Sequence, residues 1–312
     1  MRDLRIGVVG ATGAAGRVTL QLLAERGFER IRAFASARSA GFKVRYGSRD
    51  LVVEEATPQA LGRDLDLCFF SIGTAASREL VPHAVRGGAV CVDKSSAYRL
   101  ADGVPLVVPE VNGPRALDHD GIIANPNCGT IPLTMVLKPL HEAAGLARVR
   151  VSTYQAMSGA GAEAMEELKA TQPAQGDLRF DWEFDGVETD EESKLRAEVR
   201  KILELRELPL SPTTVRVPVM VGHAESVWIE TEDHLSPEHA RELLAAAPGI
   251  RLEDVPTPGL AAGTDDVLVG RIRADTTEPN GVVLFLVCDN LRKGAALNAI
   301  QIAELVLAPA RV

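Results

Sequence analysis

The sequence lacks the features that mark membrane, secreted and metal-binding proteins. No apolar run approaches the roughly 18 residues that a membrane-spanning helix needs. The first residues carry no basic segment followed by an apolar one, the pattern of a secretory signal. The four cysteines include no C-x-x-C pair, the spacing typical of zinc sites and thioredoxin-like redox centres. We therefore expect a cytoplasmic protein that needs no metal.

The charge balance narrows the class of ligand. A net charge of −9 argues against nucleic-acid binding, because proteins that bind nucleic acid cluster Lys and Arg on one face. An anionic substrate would therefore need cationic side chains placed locally in its site. A length of 312 residues, with 46% hydrophobic side chains, predicts a globular chain of about two domains.

The spacing of apolar residues divides the chain into two parts. In the first, strands alternate with helices, which predicts a parallel sheet covered on both faces. In the second, a long helix at Thr130–Ala144 and another at Glu191–Leu205 accompany strands that suit mixed or antiparallel pairing. The predicted strands are Leu4–Val9, Ile31–Phe34, Leu51–Val53, Leu65–Phe70, Ala89–Val92, Val149–Gln155, Thr214–Val221, Ser226–Thr231, Val267–Ile272 and Val282–Cys288.

These patterns predict an α/β protein of two domains. A Rossmann-like domain is expected at residues 1–126 plus 291–312, since the last helix, Lys293–Leu307, can pack back on it. A second, α+β domain with a mixed sheet is expected at residues 127–290.

A glycine-rich turn links the first strand to the first helix. Its pattern, Gly10-x-x-Gly13-x-x-Gly16, is a variant of the strict dinucleotide fingerprint. Glycines let the backbone approach a pyrophosphate, and the helix N-terminus supplies N–H groups. Such a turn alone is a weak signal, but its place directly after the first strand favours a dinucleotide site. The candidate contacts are Gly10, Thr12, Gly13, Ala14 and Ala15.

The end of the second strand bears on the choice of cofactor. NAD enzymes usually place an acidic residue there to bind the ribose, and none is present in Ser36–Gly41. Ser36, Arg38 and Ser39 could instead hold a 2′-phosphate, because Arg is a charged bidentate donor. The pattern therefore favours NADP over NAD, with a solvated Ser/Arg loop as the alternative.

Cys128 is the candidate nucleophile. It follows Asn125-Pro126-Asn127 and directly precedes a predicted helix, whose N-terminus favours the thiolate form. A thiolate can attack an activated carbonyl; a structural cysteine in a turn is the alternative. The other cysteines lie in apolar strand-like runs and are predicted to be buried hydrophobic residues: Cys68, Cys91 and Cys288.

Two further polar residues are candidates for catalysis. His223, predicted to lie in a loop after a strand, could exchange a proton near neutral pH. Gln155 ends a strand just before a Gly-rich turn and could position an acyl group. On these patterns alone, each is more often an ordinary polar residue.

Eight short motifs, taken together and in this order, resemble the aspartate-semialdehyde dehydrogenase family. They are spread over nearly the whole chain, and the set is far more specific than any single motif. The motifs are Gly10–Gly16, Ser36–Gly41, Val92–Arg99, Val108–Asn112, Asn125–Cys128, Tyr154–Gly161, Arg216–Val219 and Asp289–Ala296.

The resemblance implies an NADPH-dependent reduction of L-aspartyl 4-phosphate to L-aspartate 4-semialdehyde. In this reading Cys128 forms a thioester, His223 is the general acid/base that protonates the departing thiolate, and Gln155 orients the intermediate. The implied binding residues are Arg99, Asn127 and Lys194 for the phosphate, Arg216 for the carboxylate, Glu191 for the ammonium group, and Ser158, Gly159 and Asn290 for the nicotinamide half of NADP.

These charges suit a substrate that carries a phosphate, a carboxylate and an ammonium group. Spacing alone would favour simpler roles: Glu191 and Lys194 as a surface ion pair, and Arg99 and Arg216 as structural salt-bridge residues. The resemblance further implies an NADP-binding first domain, a second domain for catalysis and dimerisation, and a homodimer or homotetramer. It also implies a role in lysine, diaminopimelate, methionine and threonine biosynthesis.

Three places depart from the family pattern. Lys94 stands where the family commonly has Asn, and Ser71–Thr74 replaces a Ser-Ala-Gly-Gly type of turn. Residues 179–186 replace an Asn-x-Ile-Pro run within a polar excursion at Gln172–Glu188. These departures could alter cofactor fit, the dimer contact or substrate choice.

Two other functions remain open at this point. A sister reductase would act on N-acetyl-γ-glutamyl phosphate or malonyl-CoA. A protein of another class would bind NADP as a regulator or assembly partner without catalysis, although Cys128, His223 and Gln155 are all present.

Overall fold

The computed structural model describes residues 3–170 and 177–307. Contacts within them divide the chain into two compact units. The first comprises the residues up to Pro126 together with those from Ala295 onward, and the second comprises Asn127–Gly294. Gln172, where the predicted polar excursion starts, lies outside the described residues. Residues 308–312 of the predicted first domain also lie outside them.

The first unit is built on a seven-stranded sheet. Its order is β3-β4-β2-β1-β5-β6-β7, and every pairing is parallel except the β3–β4 hairpin at one edge. The strands are β1 Ile6–Val9, β2 Ile31–Ala35, β3 Lys43–Tyr46, β4 Arg49–Glu55, β5 Leu67–Phe70, β6 Val90–Asp93 and β7 Ile122–Ala124. The helices are α1 Ala14–Glu25, α2 Pro58–Leu61, α3 Thr74–Arg86, α4 Pro109–Asn112 and, after the second unit, α10 Leu297–Leu307.

Two apolar clusters cover the two faces of this sheet. One joins residues of α1 and α10 to strand residues such as Ile6 and Phe69, and the other joins residues of α3 to Val9 and Phe70. Neighbouring residues of one strand therefore belong to clusters on opposite faces of the sheet, because side chains alternate between the two faces along a strand. The predicted Rossmann-like class is confirmed, and the last helix packs on this unit.

The second unit is built on a six-stranded mixed sheet of order β11-β12-β13-β10-β8-β9. β8–β9 and β11–β12 are parallel, whereas the other pairings are antiparallel. The strands are β8 Leu146–Gln155, β9 Leu210–Arg216, β10 His223–Thr231, β11 Ile250–Leu252, β12 Val267–Ala274 and β13 Gly281–Cys288. The helices are α5 Thr130–Ala144, α6 Ala162–Ala170, α7 Asp190–Leu203, α8 Pro237–Ala246 and α9 Pro258–Ala261.

Local sequence explains the two longest helices of this unit. α5 has the predicted bounds, and ten of its fifteen residues are buried because the helix is largely apolar. α7 begins at the predicted capping box, in which Thr189 and Glu192 each bind the other's backbone N–H. α5 packs against α7 and α8. In residues 3–170 and 177–307 no helix is both long and apolar enough to cross a bilayer.

Candidate active site

Strand direction gathers the candidate residues of the second unit at one end of its sheet. Parallel strands β8 and β9 both end there, with Gln155 and Arg216 as register partners. Antiparallel β10 begins at the same end with His223, which lies opposite Cys288, the last residue of β13. His223 was expected in a loop, and that prediction is wrong: it is the first residue of a strand. The loop expected to hold it ends one residue earlier, at Gly222, whose φ is +105°.

Cys128 lies two residues before the start of α5. Asn127 O already accepts from Ile131 N at 3.1 Å, so Cys128 belongs to the opening turn of the helix. No acidic residue stands in the first turn of α5 to compete for its N–H groups. The chain also passes close behind the cysteine, because a Cβ at Gly294 would lie 3.3 Å from Cys128 Cβ. Cys128 itself remains partly exposed, whereas the other three cysteines are buried as predicted.

Three buried hydrogen bonds fix the residue before Cys128. Asn127 N donates to Glu198 Oε2 at 2.7 Å, and Asn127 Nδ2 donates to Glu191 Oε1 at 2.9 Å. Asn127 Oδ1 accepts from Gly129 N at 2.8 Å. Both carboxylates come from α7, where they are seven residues apart and share the buried face. The loop that carries Cys128 is therefore held by a neighbouring helix.

Sequence reasoning missed Glu198. It is only 1% exposed, although it lies on a charged helix. The signal that could have found it is its spacing of three or four residues from Leu195 and Ile202, two apolar residues that mark the buried face of α7.

Glu191 joins two of the candidate residues. Its Oε1 accepts from Asn127 Nδ2 and from Gln155 Nε2, the latter at 3.0 Å, and it is buried. The simpler alternative for Glu191, a surface ion pair with Lys194, therefore fails: Lys194 forms its ion pair with Asp190. Glu191 connects the end of β8 to the cysteine loop.

His223 is fully buried, and its tautomer follows from its surroundings. Ala156 N donates to His223 Nδ1 at 3.0 Å. A neutral ring that accepts at Nδ1 carries its proton on Nε2. Burial lowers the pKa of His223 to about 3, and the nearby positive charge of Arg216 adds to the shift. His223 is thus a neutral ring with an N–H at Nε2, an atom with no hydrogen-bond partner among the described residues.

Gly159 lets two of these side chains approach one turn. A Cβ there would lie 2.9 Å from Arg216 Nη1 and 3.1 Å from His223 Nε2. Arg216 Nη1 also donates to Ala156 O at 2.9 Å. The turn at Met157–Ala160 therefore lies directly against both the arginine and the histidine.

A polar cluster adjoins that turn. Asn290 Nδ2 donates to Ser158 Oγ at 2.9 Å, and Asn290 Oδ1 accepts from Gly222 N at 2.9 Å. Ser158 and Asn290, 132 positions apart in sequence, are both buried. The structure therefore brings together the residues that the family resemblance assigns to the nicotinamide half of the cofactor.

A second buried acid lies beneath the helix start and was also missed. Glu225 follows His223 by two residues on β10 and is completely buried. A Cβ at Gly129 would lie 3.3 Å from its Oε1. Burial beneath the opening turn of α5 raises the pKa of Glu225 well above its usual value, because it disfavours the charged form.

The glycine-rich turn of the first unit has the geometry that a pyrophosphate requires. Gly10 has φ +83°, and a Cβ there would lie 2.2 Å from Ser71 O. A Cβ at Gly16 would lie 2.0 Å from Gly10 O, so only glycine lets α1 pack this closely against the turn. α1 begins directly after Gly13 with no acidic residue in its first turn. These residues fit a bound dinucleotide, whose phosphates the free N–H groups would receive.

The Ser36–Ser39 segment follows β2 as a short 3-10 turn. Ser36 precedes the turn, and Arg38 is exposed within it. The arrangement leaves the guanidinium of Arg38 accessible to an anion near the expected ribose position.

Arg99 lies in the first unit and is buried. Its Nε donates to Asn125 O at 3.1 Å and its Nη2 donates to Lys94 O at 2.7 Å, so backbone carbonyls orient the guanidinium. Lys94, the departure from the family pattern, donates from Nζ to Thr19 Oγ1 at 2.7 Å. Burial lowers the pKa of Lys94 to about 7.

The chain is similar to known proteins over nearly its whole length. The semialdehyde dehydrogenase NAD binding domain matches residues 5–119, and the semialdehyde dehydrogenase dimerisation domain matches residues 137–182 and 180–293. Aspartate-semialdehyde dehydrogenase of Corynebacterium glutamicum is 46% identical over 97% of this chain and 99% of that protein.

Solved structures give the same result. The structure of aspartate semialdehyde dehydrogenase II of Vibrio cholerae, described as complexed with ASA, has a TM-score of 0.92 and 35% identity over 99% of this chain and 100% of that one. The crystal structure of aspartate semialdehyde dehydrogenase with NADP from Candida albicans has a TM-score of 0.78 and 26% identity over 98% of both chains.

Proposed function

The chain belongs to the aspartate-semialdehyde dehydrogenase family, and from that premise we propose that it works through a thioester on Cys128 with NADPH as reductant. It is an oxidoreductase of amino-acid biosynthesis that uses a nicotinamide cofactor to convert L-aspartyl 4-phosphate to L-aspartate 4-semialdehyde. The observation that carries the proposal is the buried network around Cys128. Asn127, Glu191 and Gln155 are hydrogen-bonded in series beside a cysteine at a helix N-terminus.

In the first step the Cys128 sulfur attacks the acyl carbon, a C–S bond forms, and the bond to phosphate breaks. The opening turn of α5 favours the thiolate because its N–H groups and dipole lie beside the sulfur. We assign the leaving phosphate to Arg99, Asn127 and Lys194. The contacts of Arg99 with two backbone carbonyls support the role of a charge already oriented before substrate binds.

The amino-acid end of the substrate is assigned to two residues of the second unit. Arg216 would receive the carboxylate, since its guanidinium is buried at the same end of the sheet as Gln155 and His223. Glu191 would receive the ammonium group, and its contact with Gln155 would hold that amide toward the acyl group.

In the second step His223 acts through Nε2. Because Nδ1 is occupied by Ala156 N–H, the ring presents a single donor, which we assign to the acyl oxygen or the departing sulfur. That donor stabilises negative charge as the C–S bond breaks and the aldehyde leaves, while the opening turn of α5 stabilises the departing thiolate. The general-acid role implied by the family resemblance would require the charged ring, because a neutral ring that lost its Nε2 proton would become an imidazolate. When bound, the cofactor supplies the hydride for this reduction.

The choice of NADP rests on the Ser36–Ser39 turn and on the NADP described in the Candida albicans structure. We assign the 2′-phosphate to Ser36, Arg38 and Ser39, the pyrophosphate to Gly10, Thr12, Gly13, Ala14 and Ala15, and the nicotinamide half to Ser158, Gly159 and Asn290. The first unit would thus bind the cofactor and the second would carry catalysis and dimerisation, in a homodimer or homotetramer of the cytoplasm. The predicted domain limits, 1–126 plus 291–312 and 127–290, stand as part of this proposal.

The test is the reverse reaction. NADP+ reduction is followed with L-aspartate 4-semialdehyde, with and without phosphate, for the wild type and Cys128→Ala. Cys91→Ala is the matched control, because Cys91 is buried in β6. We expect phosphate-dependent NADPH formation that only Cys128→Ala abolishes. Activity retained in folded Cys128→Ala would overturn the proposed nucleophile, and a preference for NAD+ would overturn the proposed cofactor.

A further inference from the structure

The segment that departs from the family pattern extends the edge of the second sheet. Arg179 N donates to Arg216 O and Arg216 N donates to Arg179 O, both at 3.0 Å. This pair lies beside β9, the edge strand of the sheet. We call residues 177–183 the edge segment. It runs alongside the proposed carboxylate-binding arginine, which is paired with β8 as well.

The edge segment also contacts the side chain of that arginine. Asp181 Oδ1 and Oδ2 both lie 2.9 Å from Arg216 Nε. The ring of Trp182 lies over the guanidinium, with 4.7 Å from Arg216 Cζ to the ring centroid. The Arg216 side chain is 4% exposed, whereas that of Asp181 is 37% exposed. A buried cation is thus matched by a carboxylate that remains in contact with solvent.

This pairing places a carboxylate of the protein on the group proposed to receive the carboxylate of the substrate. A buried guanidinium without a counter-ion is costly, so a free enzyme gains stability from an internal partner. The substrate offers the same chemical group, and one guanidinium nitrogen cannot serve both equally. Asp181 can be released at modest cost, because its carboxylate is already more than a third exposed and can be hydrated where it lies.

We propose that Asp181 occupies Arg216 in the free enzyme and that the substrate carboxylate displaces it, so that Asp181 sets the affinity for substrate. The inference rests on the proposed role of Arg216 in binding that carboxylate. Asp181 is therefore a residue that acts on binding rather than on the reacting atoms.

The first test is kinetic. Asp181→Asn removes the competing charge and keeps the side-chain shape, so KM for L-aspartate 4-semialdehyde should fall by about threefold to tenfold, the range for a partly solvated ion pair, with kcat unchanged. Glu183→Gln is the matched control, an exposed acid of the same segment, and it should leave KM unchanged. A rise in KM for Asp181→Asn would mean that Asp181 positions Arg216 for substrate, which overturns the proposal.

The second test follows the fluorescence of the edge segment in a protein that cannot turn over substrate. The chain has two tryptophans, so Trp182 is the only one left in a Cys128→Ala/Trp228→Phe protein. Titration with L-aspartate 4-semialdehyde should change Trp182 emission as the segment releases Arg216. 3-Aminopropanal, which lacks the carboxylate, should not change it. Saturable binding with no change in Trp182 emission would overturn the displacement while leaving the proposed function intact.

The two proposals fail in different ways. If wild-type protein shows no phosphate-dependent activity with the semialdehyde, the proposed function fails. If activity is present but Asp181→Asn binds the semialdehyde no more tightly than Glu183→Gln, only the role of Asp181 fails.

Discussion

Glu198 is expected to determine both the stability of the second unit and the position of Cys128. Its carboxylate accepts from Asn127 N at 2.7 Å in a buried environment. Glu198→Ala removes a hydrogen bond to a charged group and leaves a buried N–H without that partner, a loss of about 3 kcal/mol. For a unit of this size that corresponds to a fall in Tm of roughly 6–12 °C. Glu198→Gln keeps an acceptor oxygen and should cost only about 1 kcal/mol.

Tryptophan fluorescence can follow the unfolding of the second unit. Both tryptophans, Trp182 and Trp228, belong to the second unit, so thermal unfolding followed by tryptophan fluorescence reports on it. Glu207→Ala, a change at an exposed acid of the same region, should shift stability by no more than about 0.5 kcal/mol. We expect kcat to fall in Glu198→Ala more than in Glu198→Gln, because the cysteine loop loses its support. Equal Tm values for Glu198→Ala and Glu207→Ala would show that Glu198 does not stabilise the second unit.

The buried ring of His223 should make the stability of the protein depend on pH. The pKa of His223 is about 3 when folded, against about 6.5 when unfolded, so the unfolded chain takes up a proton first as pH falls. The contribution of His223 to stability is therefore complete above pH ~6.5 and is lost toward pH ~3, by up to about 1.4 kcal/mol per pH unit. His223→Asn should flatten this part of the stability–pH curve, and identical slopes between pH 5 and 6.5 would contradict burial of a neutral ring. Gly159→Ala should lower kcat/KM by about tenfold to a hundredfold in the steady-state assay, because its Cβ displaces Arg216 and His223. Arg38→Ala should lower kcat/KM for NADP+ by about tenfold to a hundredfold and leave kcat/KM for NAD+ nearly unchanged. An equal loss with both cofactors would rule out the proposed contact between Arg38 and the 2′-phosphate.

Elements with strong local signals were predictable from the sequence. α5 has the predicted bounds and α7 begins at its capping box, because both depend on spacing and capping within a short stretch. β3, α8 and β11 were not predicted, and of β4 only Leu51–Val53 was. β3 is an edge strand of only four residues, so its alternation of polar and apolar side chains is too short to stand out in the sequence.

The candidate site was predictable only in part, because its contacts join distant parts of the chain. Motifs singled out Cys128 and Gln155, yet the bond from Asn127 to Glu198 spans 71 positions. The pairing of Arg216 with Asp181 likewise depends on a strand edge that no local pattern reveals. His223 was placed in a loop because the apolar run that marks β10 begins only after Glu225, while pairing with β13 extends the strand back to His223.

Trapping the acyl-enzyme would show whether the aspartyl group is carried on Cys128. The protein is incubated with L-aspartyl 4-phosphate without cofactor, and intact mass and peptide mapping locate any adduct. We expect an aspartyl group on Cys128 that disappears when NADPH is added, and no such group in Cys128→Ala. Turnover of the same protein without any adduct on Cys128, or an adduct on another residue that NADPH discharges, would contradict it.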